Sequence, residues 1–116
     1  MSQHNTSVSL QHMLNHALEA VAMTEGKTRA DLDEDRQLNL ALVRLLEIIG
    51  EAATRIPKED QARYTDIYWP EIASLRNRLI HGYDTVDFDI VWQIVKQDLP
   101  GLIESLKKIL GEESKG

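Results

Sequence analysis

Leu38, Leu42, Leu45, Ile49, Ala52 and Ile56 recur at alternating intervals of four and three residues. Residues so spaced share one face of an α-helix, so the pattern fixes a helix with an apolar seam, heptad-like over nearly three repeats. Val43, Leu46 and Gly50 widen the seam. A helix apolar over so broad an arc can face its own bundle and a second subunit together.

The rest of the chain supplies helices for it to pack on. Leu10, Leu14, Ala17 or Leu18, and Val21 form one stripe to about Glu25, capped by Ser7 or Ser9 and stopped at Gly26, with residues 1–7 expected to fray. Thr28 with Asp31 resembles a capping pair opening the seam helix. Asp31, Asp33, Glu34 and Asp35 read as its solvated start, favoured by the positive helix end, with a metal-binding acidic run as the alternative. Pro57 stops the seam helix. Residues 58–64 suit a short helical turn and 66–69 a loop. Pro70 opens a helix whose apolar face is Ile72, Leu75, Leu79 and Ile80. Asp87 can cap a last helix carrying Ile90, Val91, Ile94, Val95, Leu99 and the apolar positions to Leu110. The helical phase runs unbroken through Pro100, so one long helix kinked at the proline is expected, with a loose tail from Gly111. Four main amphipathic helices with short connections predict an all-α fold, an up-and-down four-helix bundle forming one domain over residues 1–116.

Composition narrows the chemistry. Cysteine is absent, which removes disulfides, thiolate nucleophiles and thiolate metal sites. No apolar run approaches the roughly 20 residues that span a bilayer. The polar N-terminus lacks a signal-peptide core, so no membrane association and a cytoplasmic location are expected. His12 and His16 are four apart, but Met13 stands where a zincin has glutamate, so no metal is expected. A net charge of -6 argues against a general nucleic-acid coat. Between Arg55 and His81, however, five basic residues meet four acidic ones, against eight and fifteen elsewhere. Any nucleic acid would have to be gripped locally there.

One stretch does not read as plain helix packing. Arg76-Asn77-Arg78-Leu79-Ile80-His81-Gly82-Tyr83 puts a permanent cation, an imidazole and a phenol within eight residues. Asn77 and His81 are four apart and would share a helical face. Gly82 is suited to end the helix, which would leave His81 near the C-terminal, negative end of the dipole, where the imidazolium is favoured. Such an imidazole suits acid-base work near neutrality, and the fork of Arg76 suits phosphate. The plain alternative is surface arginines, a capping histidine and a packed tyrosine. Glu47 and Glu51, four apart on the seam helix, read either as a water-facing rim pair or as a ledge orienting Arg76 or His81.

The pattern Arg-x-x-x-x-His-x-Tyr resembles the signature of the HEPN superfamily, specifically the HepT-like toxin family. Leu45-Leu46-Glu47-Ile48-Ile49-Gly50-Glu51-Ala52-Ala53, Trp69-Pro70-Glu71-Ile72-Ala73, and Val91-Trp92-Gln93-Ile94-Val95 with Asp98-Leu99-Pro100 follow that family's pattern in order. The likeness runs from about Leu38 to Leu110. It implies a helical bundle that forms a homodimer and cleaves RNA without a metal or other cofactor. By resemblance His81 moves the proton of a 2′-hydroxyl, Arg76 stabilises phosphate charge, and Asn77 holds His81 or the backbone. Glu47, Glu51, Arg78 and Gly82 support them. The resemblance also implies a partner, a separate minimal nucleotidyltransferase antitoxin that adenylylates Tyr83. A bulky anion placed there would block the cleft and occupy its positive charge. Two other functions stay open, a non-catalytic accessory or substrate-binding subunit of a nucleotidyltransferase and a helical interaction module.

Overall fold

The structure is a computed structural model that describes the backbone from Ser2 to His81 and from Thr85 to Lys115, with side chains described for 6–80 and 85–112. The first helix, α1 (Ser2–Met23), begins ahead of the Ser7 and Ser9 caps expected from sequence. It ends before Gly26, whose φ of 75° is the left-handed turn that glycine adopts without a Cβ penalty. Thr28 and Asp31 form the foreseen capping pair, the Asp31 carboxylate accepting from the Thr28 N–H at 2.7 Å.

The seam helix is preceded by a separate short one. After α2 (Arg29–Glu34) the chain breaks at Asp35, which caps α3 (Arg36–Thr54) by accepting from the Leu38 N–H at 3.0 Å. Two members of the acidic run, Asp31 and Asp35, are therefore caps. Buried Asn39 closes the joint by donating to the Leu32 carbonyl at 2.8 Å, satisfying an acceptor that the end of α2 leaves free. All six seam residues are buried, and Leu42 and Ile49, with Leu46 beside them, are fully so.

Pro57 ends this run and opens α4 (Lys58–Arg63). The region expected as one helix from Pro70 to His81 is two, α5 (Trp69–Ala73) and α6 (Leu75–Leu79). The irregularity is at Ser74, whose hydroxyl donates to the Glu71 carbonyl at 3.1 Å and competes with the helical ladder. Ser74 serves both helices, its N–H donating to the Pro70 carbonyl at 3.1 Å and its carbonyl accepting from the Arg78 N–H at 3.0 Å.

The helix stops at Leu79, three residues before Gly82. Ile80 and His81 form β1, paired antiparallel with β2 (Thr85–Val86) in the register Ile80 to Val86 and His81 to Thr85. Three of these four residues are β-branched, which favours extended backbone. The Leu79 carbonyl accepts from the Asp87 N–H at 2.9 Å and so closes the base of the strand pair. Asp87 then caps α7 (Phe88–Gln93), accepting from the N–H groups of Asp89 and Ile90.

The long C-terminal helix is present, but Pro100 acts upstream of itself. Proline lacks an N–H and crowds the carbonyl four residues earlier. The chain answers with a π turn over Ile94–Asp98, where the Leu99 N–H reaches back to the Ile94 carbonyl, and then continues as α8 (Leu99–Lys115), past Gly111. The core joins α1, α3, the α5–α6 segment and the α7–α8 helix through Leu10, Met13, Leu46, Leu75, Leu79 and Leu106. The fold is an all-α helical bundle. Among the described residues no helix is long and apolar enough to cross a membrane.

Candidate functional site

The site is built on α6 and the strand that follows it. Leu75 and Leu79, one turn apart, are buried and hold the helix to the core. That phase leaves Arg76 and Asn77 exposed. Two further contacts fix the segment. Gly50 on α3 lets the α5–α6 joint approach so closely that a Cβ there would stand 3.3 Å from the Ile72 carbonyl and 3.4 Å from the Leu75 Cβ. On the flank, Arg78 reaches Asp98 in the π turn at 3.2 Å and Glu71 at 3.5 Å. Its side chain is 30% exposed, and one guanidinium nitrogen, Nη1, is buried without a hydrogen bond. Arg78 thus ties α6 to the irregular turn that Pro100 creates.

Arg76 behaves differently. It is exposed and makes no hydrogen bond or ion pair with any described residue. His81 follows on β1, two residues past the helix end, so it lies near the helix C-terminus but outside the helix, and the expected helical face shared with Asn77 does not hold. Only the backbone of His81 is described, and Gly82 and Tyr83 lie outside the described residues.

Glu47 and Glu51 both turn to Arg44, at 3.5 Å and 3.6 Å, with side chains 24% and 49% exposed. Among the described residues the ledge faces Arg44, not Arg76. His12 and His16 lie edge to face at 6.3 Å, with His16 Nδ1 2.7 Å from the His12 carbonyl. No group of three or more histidines, aspartates and glutamates is placed to hold a metal among the described residues. Arg29 bridges α2 to α7, its Nε 2.7 Å from Asp89. Hydrogen bonds to Asp89, then to Asp33, raise the Arg29 pKa above its ordinary value.

Two supports of the site are not legible in the residues alone. The role of Gly50 needs the position of a second helix, and that of Asp98 needs the π turn. Both residues fall within the stretches that carry the family resemblance, which was the one signal pointing to them.

A family model described as "Ribonuclease HepT-like" matches residues 13–109, which includes the whole site. A gamma-glutamylcyclotransferase and candidate RNase of Methanocaldococcus jannaschii is 40% identical over 106 residues, covering 88% of this chain and 48% of that protein. The chain therefore spans about half the length of that relative. A candidate RNase of Caldanaerobacter subterraneus subsp. tengcongensis is 36% identical over 104 residues, covering 90% of this chain and 93% of that one. A ribonuclease HepT candidate of Thermococcus cleftensis is 37% identical, covering 83% and 91%. No solved structure matches the chain. Arg76, its helix and the elements that brace it all fall within the matched region, and the chain belongs to the HepT-like ribonuclease family.

Proposed function

We propose that the chain is the toxin of a toxin-antitoxin pair, a metal-independent endoribonuclease that works as a cytoplasmic homodimer and is silenced by adenylylation of Tyr83. The observation that carries this reading is the contrast within α6. Arg78 is bound to two carboxylates, while Arg76, two residues away on a braced helix, stands exposed and unpaired among the described residues, just ahead of His81. A surface guanidinium held without a partner can accept a phosphate.

The chemistry then follows from the groups. His81 takes the proton from a ribose 2′-hydroxyl as that oxygen forms a bond to phosphorus. The bond to the 5′-oxygen breaks, and that oxygen takes a proton as it leaves. Arg76 stabilises the charge that gathers on the phosphate oxygens, and Asn77 holds the imidazole or nearby backbone. The products carry 2′,3′-cyclic phosphate and 5′-hydroxyl ends.

A second copy brings a second Arg76 and His81 to the same phosphate. Leu40, 52% exposed, and the half-buried Val43, Val86 and Phe88 support this, because they surround a depression of about 440 Å³ beside the strand that pairs with His81. In the silencing step the Tyr83 phenol oxygen bonds to the α-phosphorus of ATP and pyrophosphate leaves. A separate nucleotidyltransferase catalyses it.

The test is cleavage of RNA by the purified chain with EDTA present, with the ends of the products identified. Cyclic phosphate ends are expected. Products bearing 5′-phosphate, or cleavage abolished by EDTA, would overturn the metal-independent route. Intact mass of the chain made together with the nucleotidyltransferase should rise by whole AMP units, and Tyr83→Phe should abolish the rise. An unchanged mass would remove the silencing step. Leu40→Glu should leave a monomer by sedimentation, and a dimer that persists would place the interface elsewhere.

A further inference from the structure

Several basic side chains of this chain are already neutralised. Arg29 pairs with Asp33 and Asp89, Arg44 with Glu47 and Glu51, Arg63 with Asp60, and Lys108 with Asp66. Arg55 and Lys58, like Arg76, are exposed and form no ion pair with any described residue. Sequence spacing would pair Arg55 with Glu51, one helical turn earlier, but Glu51 is drawn to Arg44.

Arg55 and Lys58 line one groove of about 370 Å³ between the end of α3 and the starts of α4 and α5. No carboxylate lines it, whereas the groove beside Glu71, which Tyr68 also borders, carries Asp66, Glu71 and Asp98. An adjoining depression of about 340 Å³ shares Lys58, Gln61 and Pro70 and is bordered by Tyr68. Tyr68 is 70% exposed, the most of any large apolar or aromatic side chain described. Its neighbour Trp69 is buried and donates its indole N–H to the Tyr64 carbonyl at 3.0 Å, which anchors the backbone that presents the tyrosine. At the far end the groove reaches Ala73. Ala73 ends α5, and Arg76 and Asn77, three and four residues further on, are the exposed positions of α6, which starts directly after Ser74.

A flat exposed ring followed by spaced cations is what a single strand of nucleic acid requires, one part for a base and the rest for phosphates. We infer that Tyr68, Lys58 and Arg55 form a track that holds single-stranded RNA and leads it to Arg76. The inference rests on the proposed ribonuclease activity and names how its substrate is gripped. In a chain of net charge -6 such a grip has to be local, because the field of the whole molecule repels RNA.

The test uses the full chain carrying His81→Ala, so that RNA is bound but not cut. Binding of a fluorescein-labelled oligouridine is followed by anisotropy across a salt series. Adding Arg55→Ala with Lys58→Ala should weaken binding and flatten the slope of log affinity against log salt by about 1.4, roughly 0.7 for each phosphate that a single strand no longer has neutralised. Lys58→Arg with Arg55→Lys should restore the slope. Tyr68→Ala should weaken binding roughly five-fold or more at unchanged slope, and Tyr68→Phe should not. Lys27→Ala, which removes an exposed charge outside the groove, should leave the slope as it was. An unchanged slope in the double variant, or full affinity in Tyr68→Ala, overturns the track. If the wild-type chain cleaves RNA and the groove variants cleave it equally well, the track alone is wrong. If the wild type neither binds nor cleaves RNA, the ribonuclease reading falls with it.

Discussion

Two helical glycines should respond in opposite directions to added side chains. At Gly50 the first added carbon already meets the Ile72 carbonyl at 3.3 Å and the Leu75 Cβ at 3.4 Å. Valine adds two methyl groups beyond it, and in a helix its χ1 is nearly fixed, so they cannot swing away. Overpacking of this kind costs about 1–3 kcal/mol, against a gain of about 0.4 kcal/mol from replacing glycine in a helix. Gly50→Val should therefore destabilise by about 2 kcal/mol. Unfolding entropy near 2.1 cal/mol/K per residue over 116 residues makes that a fall in Tm of about 8 °C. At Gly101 an added Cβ meets nothing within 4 Å. Gly101→Ala should gain about 0.8 kcal/mol and raise Tm by about 3 °C. Thermal melts followed by far-ultraviolet circular dichroism measure both. Because the Gly50 contact sets where α5 and α6 lie, Gly50→Val should also lose more RNA cleavage at low temperature than its folded fraction explains. A Gly50→Val chain as stable as wild type would show that the close approach of α3 does not hold the Arg76 helix in place.

Other residues give sharper local tests. Asn39→Ala should cost about 1–3 kcal/mol, because it strands the Leu32 carbonyl at a buried joint, and chemical denaturation would register it as a lowered midpoint at constant m-value. Thr6→Val should cost a similar amount, about 1–3 kcal/mol, by removing the hydroxyl that donates to the buried Asp60 carboxylate at 2.6 Å, and the same denaturation assay reads it. Replacing Arg78 with Met keeps the stem but loses the clip to Asp98. Stability should drop by about 1 kcal/mol for this partly exposed pair, and cleavage should fall further than stability does.

The fold was legible where one period ran without interruption. The seam from Leu38 to Ile56 needs no partner to be recognised, and Pro57, Pro70 and Asp87 mark boundaries by their own chemistry. Two of the boundaries that sequence spacing misplaces depend on partners beyond the local helical period. Asp35 splits α2 from α3 because Asn39 can reach back to Leu32. Leu79 ends α6 because its carbonyl is taken by Asp87, which no helical pattern announces. The strain of Pro100 is foreseeable as a kink at the proline, yet it is relieved in the preceding π turn, which puts Asp98 within reach of Arg78. The candidate site was visible as a motif, but spacing could not separate Arg76 from Arg78. Both read as exposed arginines at a helix end, and only packing shows that Arg78 is tied down while Arg76 has no partner among the described residues.

The proposed mechanism stands or falls with the guanidinium of Arg76 handling the scissile phosphate. Single-turnover rates of RNA cleavage by Arg76→Ala and Arg76→Lys beside wild type decide it, each variant checked for unchanged helical content. Loss of a donor aimed at developing charge should slow Arg76→Ala by about a hundred- to a thousand-fold, with Arg76→Lys between the two. Cleavage at the wild-type rate by Arg76→Ala would mean that some other group holds the phosphate.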